Sequence, residues 1–214
     1  MDQYIEYFLS NFGPPIDRVD ASDDQISRYR NRLPDQLLDY WKEFGWCGYA
    51  DGLYWTVNPE DYIPVVDAWL DGSEYAGVDR FHVIARTAFG DLFLWGEQTG
   101  PCLEVVPIHG WYVRSDVHMQ DMLNCKANTV VRHFFSMTKK QFINLHDINE
   151  KPLFDRALKK LGPVNRDEMY GFVPATALGG PAKLDRLQKL SIIEHLVFLA
   201  QVSEPYTLPM PDVN

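Results

Sequence analysis

Histidine and cysteine are the residue types in this sequence that could bind a metal ion or supply a nucleophile, and their spacing favours neither role. No two histidines are four residues apart, and no His-Glu-x-x-His motif occurs. Cys47, Cys102 and Cys125 are too far apart for a metal-binding knuckle or a disulfide framework. We therefore expect no metal site, no cofactor and no catalytic residue. The histidines are at positions 82, 109, 118, 133, 146 and 195.

One glycine pair in the C-terminal half resembles part of a phosphate-binding loop. Gly179 and Gly180 precede a predicted helix, but the Gly-x-x-x-x-Gly-Lys-Ser/Thr spacing is missing, and Pro181 lacks a backbone N–H. No Gly-x-Ser-x-Gly nucleophile motif occurs either. We expect both glycines to allow close backbone packing and His195 to form a buried hydrogen bond. The sequence thus indicates that the chain is not an enzyme.

The residues best suited to recognition lie between positions 34 and 79. This stretch contains ten acidic residues, ten aromatic residues and a single base, Lys42. Aromatic anchors surrounded by charge are typical of protein-binding surfaces, and a hairpin tip or a loop after a helix is normally exposed. An acidic surface over an aromatic core explains the composition equally well. The predicted partner-binding residues are Tyr49, Asp51, Tyr54, Trp55, Asp71, Glu74 and Tyr75.

Charge divides the chain into two unlike halves. Residues 1–110 carry 7 basic and 19 acidic residues, a net of −12, whereas residues 111–214 carry 13 and 11, a net of +2. A strongly acidic surface disfavours direct binding to nucleic acid or to a membrane and speeds encounter with a basic partner. No apolar run is long enough to span a bilayer, and the N-terminus lacks a signal-peptide pattern, so we expect a cytoplasmic protein.

The elements that position these residues indicate an α+β fold. Leu37, Leu38, Trp41 and Phe44 have helical spacing, so we expect a helix over 34–44 that ends at Gly45. Asp-Gly at 51–52 predicts a hairpin, and residues 80–114 predict an antiparallel meander. The remainder predicts mainly helices, including 139–145 and a long final helix over 182–201. We expect an antiparallel sheet flanked by helices in residues 1–114, and a mainly helical unit in residues 115–214 that packs against it.

The N-terminal half resembles the GAD-like domain in the segments LPDQLLDYW (33–41), FGWCGYADGLYW (44–55) and Asn58-Pro59. The segments GFVPA (171–175), LGG (178–180) and EHL (194–196) resemble the domain that usually follows it. This pairing is typical of immunity proteins against type VI secretion DNase effectors. The resemblance implies a bacterial protein that binds and neutralises a cognate toxin, a DNase with a basic surface, without catalysis.

Two other functions remain open at this stage. One is an RNA- or protein-binding module unrelated to toxins; direct RNA binding would need a basic face, which only the C-terminal half, with its net charge of +2, offers. The other is an uncharacterised hydrolase whose histidine-carboxylate pair forms only in the folded chain. The sequence indicates no particular oligomeric state.

Overall fold

A computed structural model describes residues 1–209, which contain eight α-helices and ten strands. The helices are α1 Gln3–Phe12, α2 Asp23–Ser27, α3 Asp35–Phe44, α4 Ile63–Leu70, α5 Met119–Leu123, α6 Ala127–Met137, α7 Phe154–Leu161 and α8 Ile192–Val202. The strands are β1 Ile16–Val19, β2 Trp46–Tyr49, β3 Tyr54–Thr56, β4 Phe81–Thr87, β5 Leu92–Gly96, β6 Gly100–Val106, β7 Trp111–Arg114, β8 Glu168–Phe172, β9 Leu187–Ser191 and β10 Tyr206–Thr207.

The central feature is one eight-stranded sheet in the order β1-β2-β3-β4-β5-β6-β7-β10. Neighbouring strands are antiparallel, except that β10 runs parallel to β7. The meander predicted over 80–114 is β4 to β7. Strands β8 and β9 form a separate antiparallel hairpin. No helix among residues 1–209 is long and apolar enough to span a membrane.

Helix ends in the N-terminal half follow local capping rules. Ser22 and Gln25 form the reciprocal capping box of α2, in which each side chain accepts a hydrogen bond from the other residue's backbone N–H. Helix α3 ends at Gly45, which has φ +67°. A Cβ at Gly45 would overlap the Val19 carbonyl oxygen, so this position requires glycine for both its φ and its close approach. These features confirm the predicted helix over 34–44.

The core consists of two layers, one on each face of the sheet. Side chains of adjacent residues in a strand pack in opposite layers, as the two-residue period of a strand requires. Tyr54 belongs to the layer that contains α1, α3 and α6, whereas Trp55 belongs to the layer that contains α4 and α8. Ile84 and Val83 divide in the same way. Because both faces are covered, the sheet is a central layer, and the predicted α+β class is confirmed.

The C-terminal half completes both core layers. Helix α6 packs against α1 and α3 on one face, and α8 packs against α4 on the other. Trp69 in α4 donates its indole N–H to the carbonyl of Leu196 in α8 at 3.0 Å. The C-terminal unit therefore packs against the sheet, as expected. The division at residue 114 stays a prediction, and residues 210–214 lie outside the described part of the chain.

Two predicted helices are wrong. Residues 182–191 do not begin the last helix, because β9 pairs with β8 in a register that places Leu187 opposite Phe172, and only α8 is helical. Residues 139–145 form turns instead of a helix. Their end is held by a backbone hydrogen bond from Leu153 N–H to the Leu145 carbonyl at 2.8 Å, next to an isolated bridge between His146 and Pro152. Tertiary pairing overrides local helix propensity in both segments.

Candidate partner-binding site

The four aromatic residues predicted to anchor a partner are buried, so the expectation that they are exposed is wrong. Tyr49, Tyr54, Trp55 and Tyr75 are at most 7% exposed. Strands β2 and β3 do form the predicted hairpin, but β1 and β4 flank it and helices cover both of its faces. These aromatics therefore belong to the core, which is the alternative that the composition left open.

A buried arginine, which no sequence pattern had singled out, packs against the hairpin. Arg86 in β4 is fully buried, and its guanidinium lies 4.8 Å from the Trp55 ring centroid. It donates hydrogen bonds to the carbonyls of Thr87, Asn165 and Arg166 at 3.2, 3.1 and 2.9 Å. Arg86 thus ties the sheet to the C-terminal half. A single arginine in an apolar strand is the only signal in the sequence that points to it.

The three acidic residues of the predicted site do lie on the surface. Asp51 is exposed at the hairpin tip, where its φ is +56°. Asp71 caps the C-terminal end of α4, and Glu74 follows in the next turn. The Glu74 carboxylate accepts a hydrogen bond from the Thr207 hydroxyl, which also lies 3.0 Å from the Tyr75 hydroxyl. Of the predicted partner-binding residues, the charged ones are therefore accessible at the surface and the aromatic ones are buried.

Asp71 and Tyr75 line a cleft of about 950 Å³. One wall is α4 together with residues 71–80, and the other is the segment that carries Arg28 and Arg32. Its volume is at the upper end of the range of roughly 300–1,000 Å³ that is typical of ligand pockets. We call it the α4 cleft. Its residues come from three separate parts of the chain, so no local sequence motif predicts the cleft.

Ion pairs hold the arginine wall of the α4 cleft in place. Arg28 pairs with Glu60 at 2.7 Å, and Arg32 Nε donates to Glu97 Oε1 at 2.8 Å. His82 Nε2 lies 2.8 Å from the same Glu97 oxygen. Burial raises the pKa of Glu97, but the hydrogen bonds from His82 and Arg32 outweigh it and leave this pKa below its usual value. Glu97 is therefore the anion that fixes this wall.

The pair of His82 and Glu97 is a histidine-carboxylate pair of the kind that the hydrolase alternative requires. Burial lowers the pKa of His82 more than the Glu97 hydrogen bond raises it, so the imidazole is neutral near pH 7. However, the described residues that line the cleft include no serine, threonine, cysteine or lysine. Arg32 also donates to the carboxylate oxygen that His82 contacts. Because Glu97 is shared with Arg32 and the pair has no serine, threonine, cysteine or lysine to activate in the cleft, its geometry favours a structural role.

Metal binding also lacks a suitable group of side chains. Within residues 1–209, no three histidine, cysteine, aspartate or glutamate side chains are grouped so as to hold a metal ion.

The glycines and the histidine near the C-terminus have different physical roles. A Cβ at Gly180 would overlap the Pro174 carbonyl oxygen, which confirms the predicted close packing there. Gly179 has open space around its Cα and instead adopts φ +80°. His195 packs over Gly171 and is half-buried, with no hydrogen bond to its ring within residues 1–209. The buried hydrogen bond predicted for His195 is therefore wrong: burial without a partner lowers its pKa.

Comparisons with known proteins give the family. Residues 3–109, half of the chain, match the GAD-like domain, and residues 128–203 match the family described as T6SS immunity protein Tdi1, C-terminal. No curated protein matches the chain. A similar solved structure is the crystal structure of Atu4351 from Agrobacterium tumefaciens, with a TM-score of 0.74 and 21% identity over 98% of this chain and 95% of that chain. That likeness shows the fold alone, whereas the two family matches show that the chain belongs to the GAD-like immunity proteins of the type VI secretion system.

Proposed function

We propose that this protein neutralises a cognate type VI secretion DNase toxin in the cytoplasm by binding it stoichiometrically, without catalysis. The match of residues 128–203 to a type VI immunity family carries this proposal. An immunity protein that acts by occupancy needs a surface that fits its toxin and no reactive group. The α4 cleft, lined by carboxylates and arginines, offers such a surface.

Charge supports a DNase as the toxin. A DNase must present a basic surface to the phosphate backbone of DNA. Residues 1–110 of this chain carry a net charge of −12, so the same surface of the toxin would attract the inhibitor. Charge of this kind raises the association rate and directs the inhibitor to the surface that DNA would otherwise occupy.

The proposed binding face includes the exposed carboxylates Asp51, Asp71 and Glu74. The buried aromatics do not contact the toxin directly: Trp55 and Tyr75 lie in the core layer that contains α4, and Tyr49 and Tyr54 lie in the layer on the opposite face of the sheet. Apolar contact area must then come from exposed aliphatic side chains. Ile63 on α4, of which 52% is exposed, is one that lines the α4 cleft.

The decisive experiment is a titration of DNA cleavage by the toxin encoded beside this gene. Increasing amounts of the purified protein are added to a fixed amount of toxin, and residual nuclease activity is measured after short and long incubation. Stoichiometric binding predicts inhibition that is complete at a fixed molar ratio and does not depend on incubation time. Inactivation that continues with time at a small fraction of that ratio would instead indicate catalysis, and no inhibition at molar excess would overturn the proposed function.

A further inference from the structure

The α4 cleft contains two carboxylates whose charge nothing nearby compensates. The three arginines that line the cleft already face carboxylates: Arg28 pairs with Glu60, and Arg32 and Arg80 share Glu97, at 2.8 and 3.8 Å. Asp67 and Asp71 line the α4 wall and form no ion pair or side-chain hydrogen bond within residues 1–209. The net unpaired charge of the cleft is therefore negative and lies on α4.

The position of these two carboxylates opposes the stability of their own helix. Asp67 lies in the last turn of α4 and Asp71 is its C-cap, and that turn contains no basic residue. Negative side chains at the C-terminal end of a helix are unfavourable, because the backbone carbonyls there already give it partial negative charge. Like charges four residues apart also repel each other. This arrangement therefore does not stabilise α4 in the free protein.

The surface between the two carboxylates and the floor of the cleft is apolar. Ile63 is half exposed, Val66 is half-buried, and Leu70 and Phe81 close the floor. A lysine or arginine side chain matches this combination, because its hydrocarbon stem packs on apolar surface while its cationic end reaches a carboxylate. An anion fits poorly, since the arginines are already paired with Glu60 and Glu97.

We infer that the α4 cleft is the docking site for a basic segment of the toxin, with one lysine or arginine of that segment seated between Asp67 and Asp71 and its stem on Ile63. This inference rests on the proposed function. It adds the location of the site and the chemistry of the partner residue. The cation replaces the missing C-terminal charge of α4, so the helix end becomes favourable only in the complex.

The test is a kinetic binding measurement with the purified toxin encoded beside this gene, made inactive by mutation. The cleft variant is Asp67→Asn/Asp71→Asn. The matched control is Glu6→Gln/Asp155→Asn, which removes the same two negative charges at exposed, unpaired positions on α1 and α7. We expect the cleft variant to raise Kd at least tenfold, mainly through faster dissociation, because a close charge pair across an interface acts chiefly on the dissociation rate. The control should change Kd by less than about threefold.

A second readout separates recognition from folding. The cleft variant should melt at the same temperature as the wild type or slightly above it, because it removes repulsion at the end of α4. Ile63→Ser should also speed dissociation, since it removes the apolar support for the stem. A wild-type protein that does not bind the toxin would overturn the proposed function as well. Wild-type binding that the cleft and control variants weaken equally would overturn this inference alone, as would self-association of the free protein that Asp67→Asn/Asp71→Asn abolishes.

Discussion

Replacing Arg86 by methionine should destabilise the protein strongly, although Arg86 lies far inside the fold. Methionine fills a similar volume against Trp55 but donates none of the three hydrogen bonds to the carbonyls of Thr87, Asn165 and Arg166. Hydrogen bonds to a charged group contribute roughly 1.5–3 kcal/mol each. The substitution also removes a buried charge, which is itself unfavourable, so several kcal/mol of the lost hydrogen-bond energy are recovered. We expect a net loss of about 3 kcal/mol in the free energy of unfolding.

For a chain of this size, that loss lowers Tm by roughly 6–12 °C. Thermal and urea unfolding followed by circular dichroism measure it. Arg166→Met is the matched control, because it removes a guanidinium whose ion pair with Asp17 is on the surface and contributes at most about 1 kcal/mol. Limited proteolysis should cut Arg86→Met near residues 163–167 sooner than the wild type, since Arg86 holds that segment. Equal stability of Arg86→Met and Arg166→Met would refute the reasoning.

Three further predictions follow from the packing and the charges. Gly180→Ala should lower the free energy of unfolding by about 2 kcal/mol, since its Cβ overlaps the Pro174 carbonyl, and toxin affinity measured below the melting range should be unchanged. Burial, with a smaller contribution from Asp91, raises the pKa of Glu104 to about 8 in the folded state, so the protonated form is favoured there. Stability should therefore fall as pH rises from about 4.5 to 8, and Glu104→Gln should reduce this fall in urea titrations at pH 5, 7 and 9, most clearly between pH 7 and 9, because burial raises the pKa of Asp91 only to about 6. Asp71→Lys/Glu74→Lys should slow association with the toxin and flatten its salt dependence in stopped-flow measurements. An association rate that changes neither with this substitution nor with salt would contradict the steering role.

Much of the fold could be predicted because its signals are local. The capping box of α2, the helical spacing that ends at Gly45 and the alternation of the β4–β7 meander each depend on a few neighbouring residues. The segments whose predicted structure is wrong depend on residues that are distant in the sequence. Strand β9 forms because β8 is beside it, and nothing within residues 187–191 alone distinguishes a strand from the start of a helix.

The error over the aromatic residues has the same physical origin. A hairpin tip is exposed only if nothing covers its strands. Strand β1, a four-residue segment after two prolines, pairs with β2 and makes the hairpin internal to the sheet. Helix α8, more than 130 residues further along the chain, then lies in the layer that covers Trp55. Neither contact has a signature in residues 49–55, and the α4 cleft is equally non-local because it combines residues from 28–32, 59–71 and 75–82.

The burial of these aromatics changes how a toxin can be held. Interfaces built on aromatic anchors derive most of their affinity from a few desolvated rings and tolerate salt, because rim charges act mainly on the association rate. In residues 34–79 of this protein the rings stabilise the sheet between two helical layers, and the exposed side chains are carboxylates and aliphatic groups, apart from Lys42. Ile63 and Val78, 52% and 59% exposed, lie on and beside the α4 cleft and supply its apolar contact. Added salt should then both slow association and speed dissociation at this face, because the cation seated against Asp67 and Asp71 is itself part of the anchor.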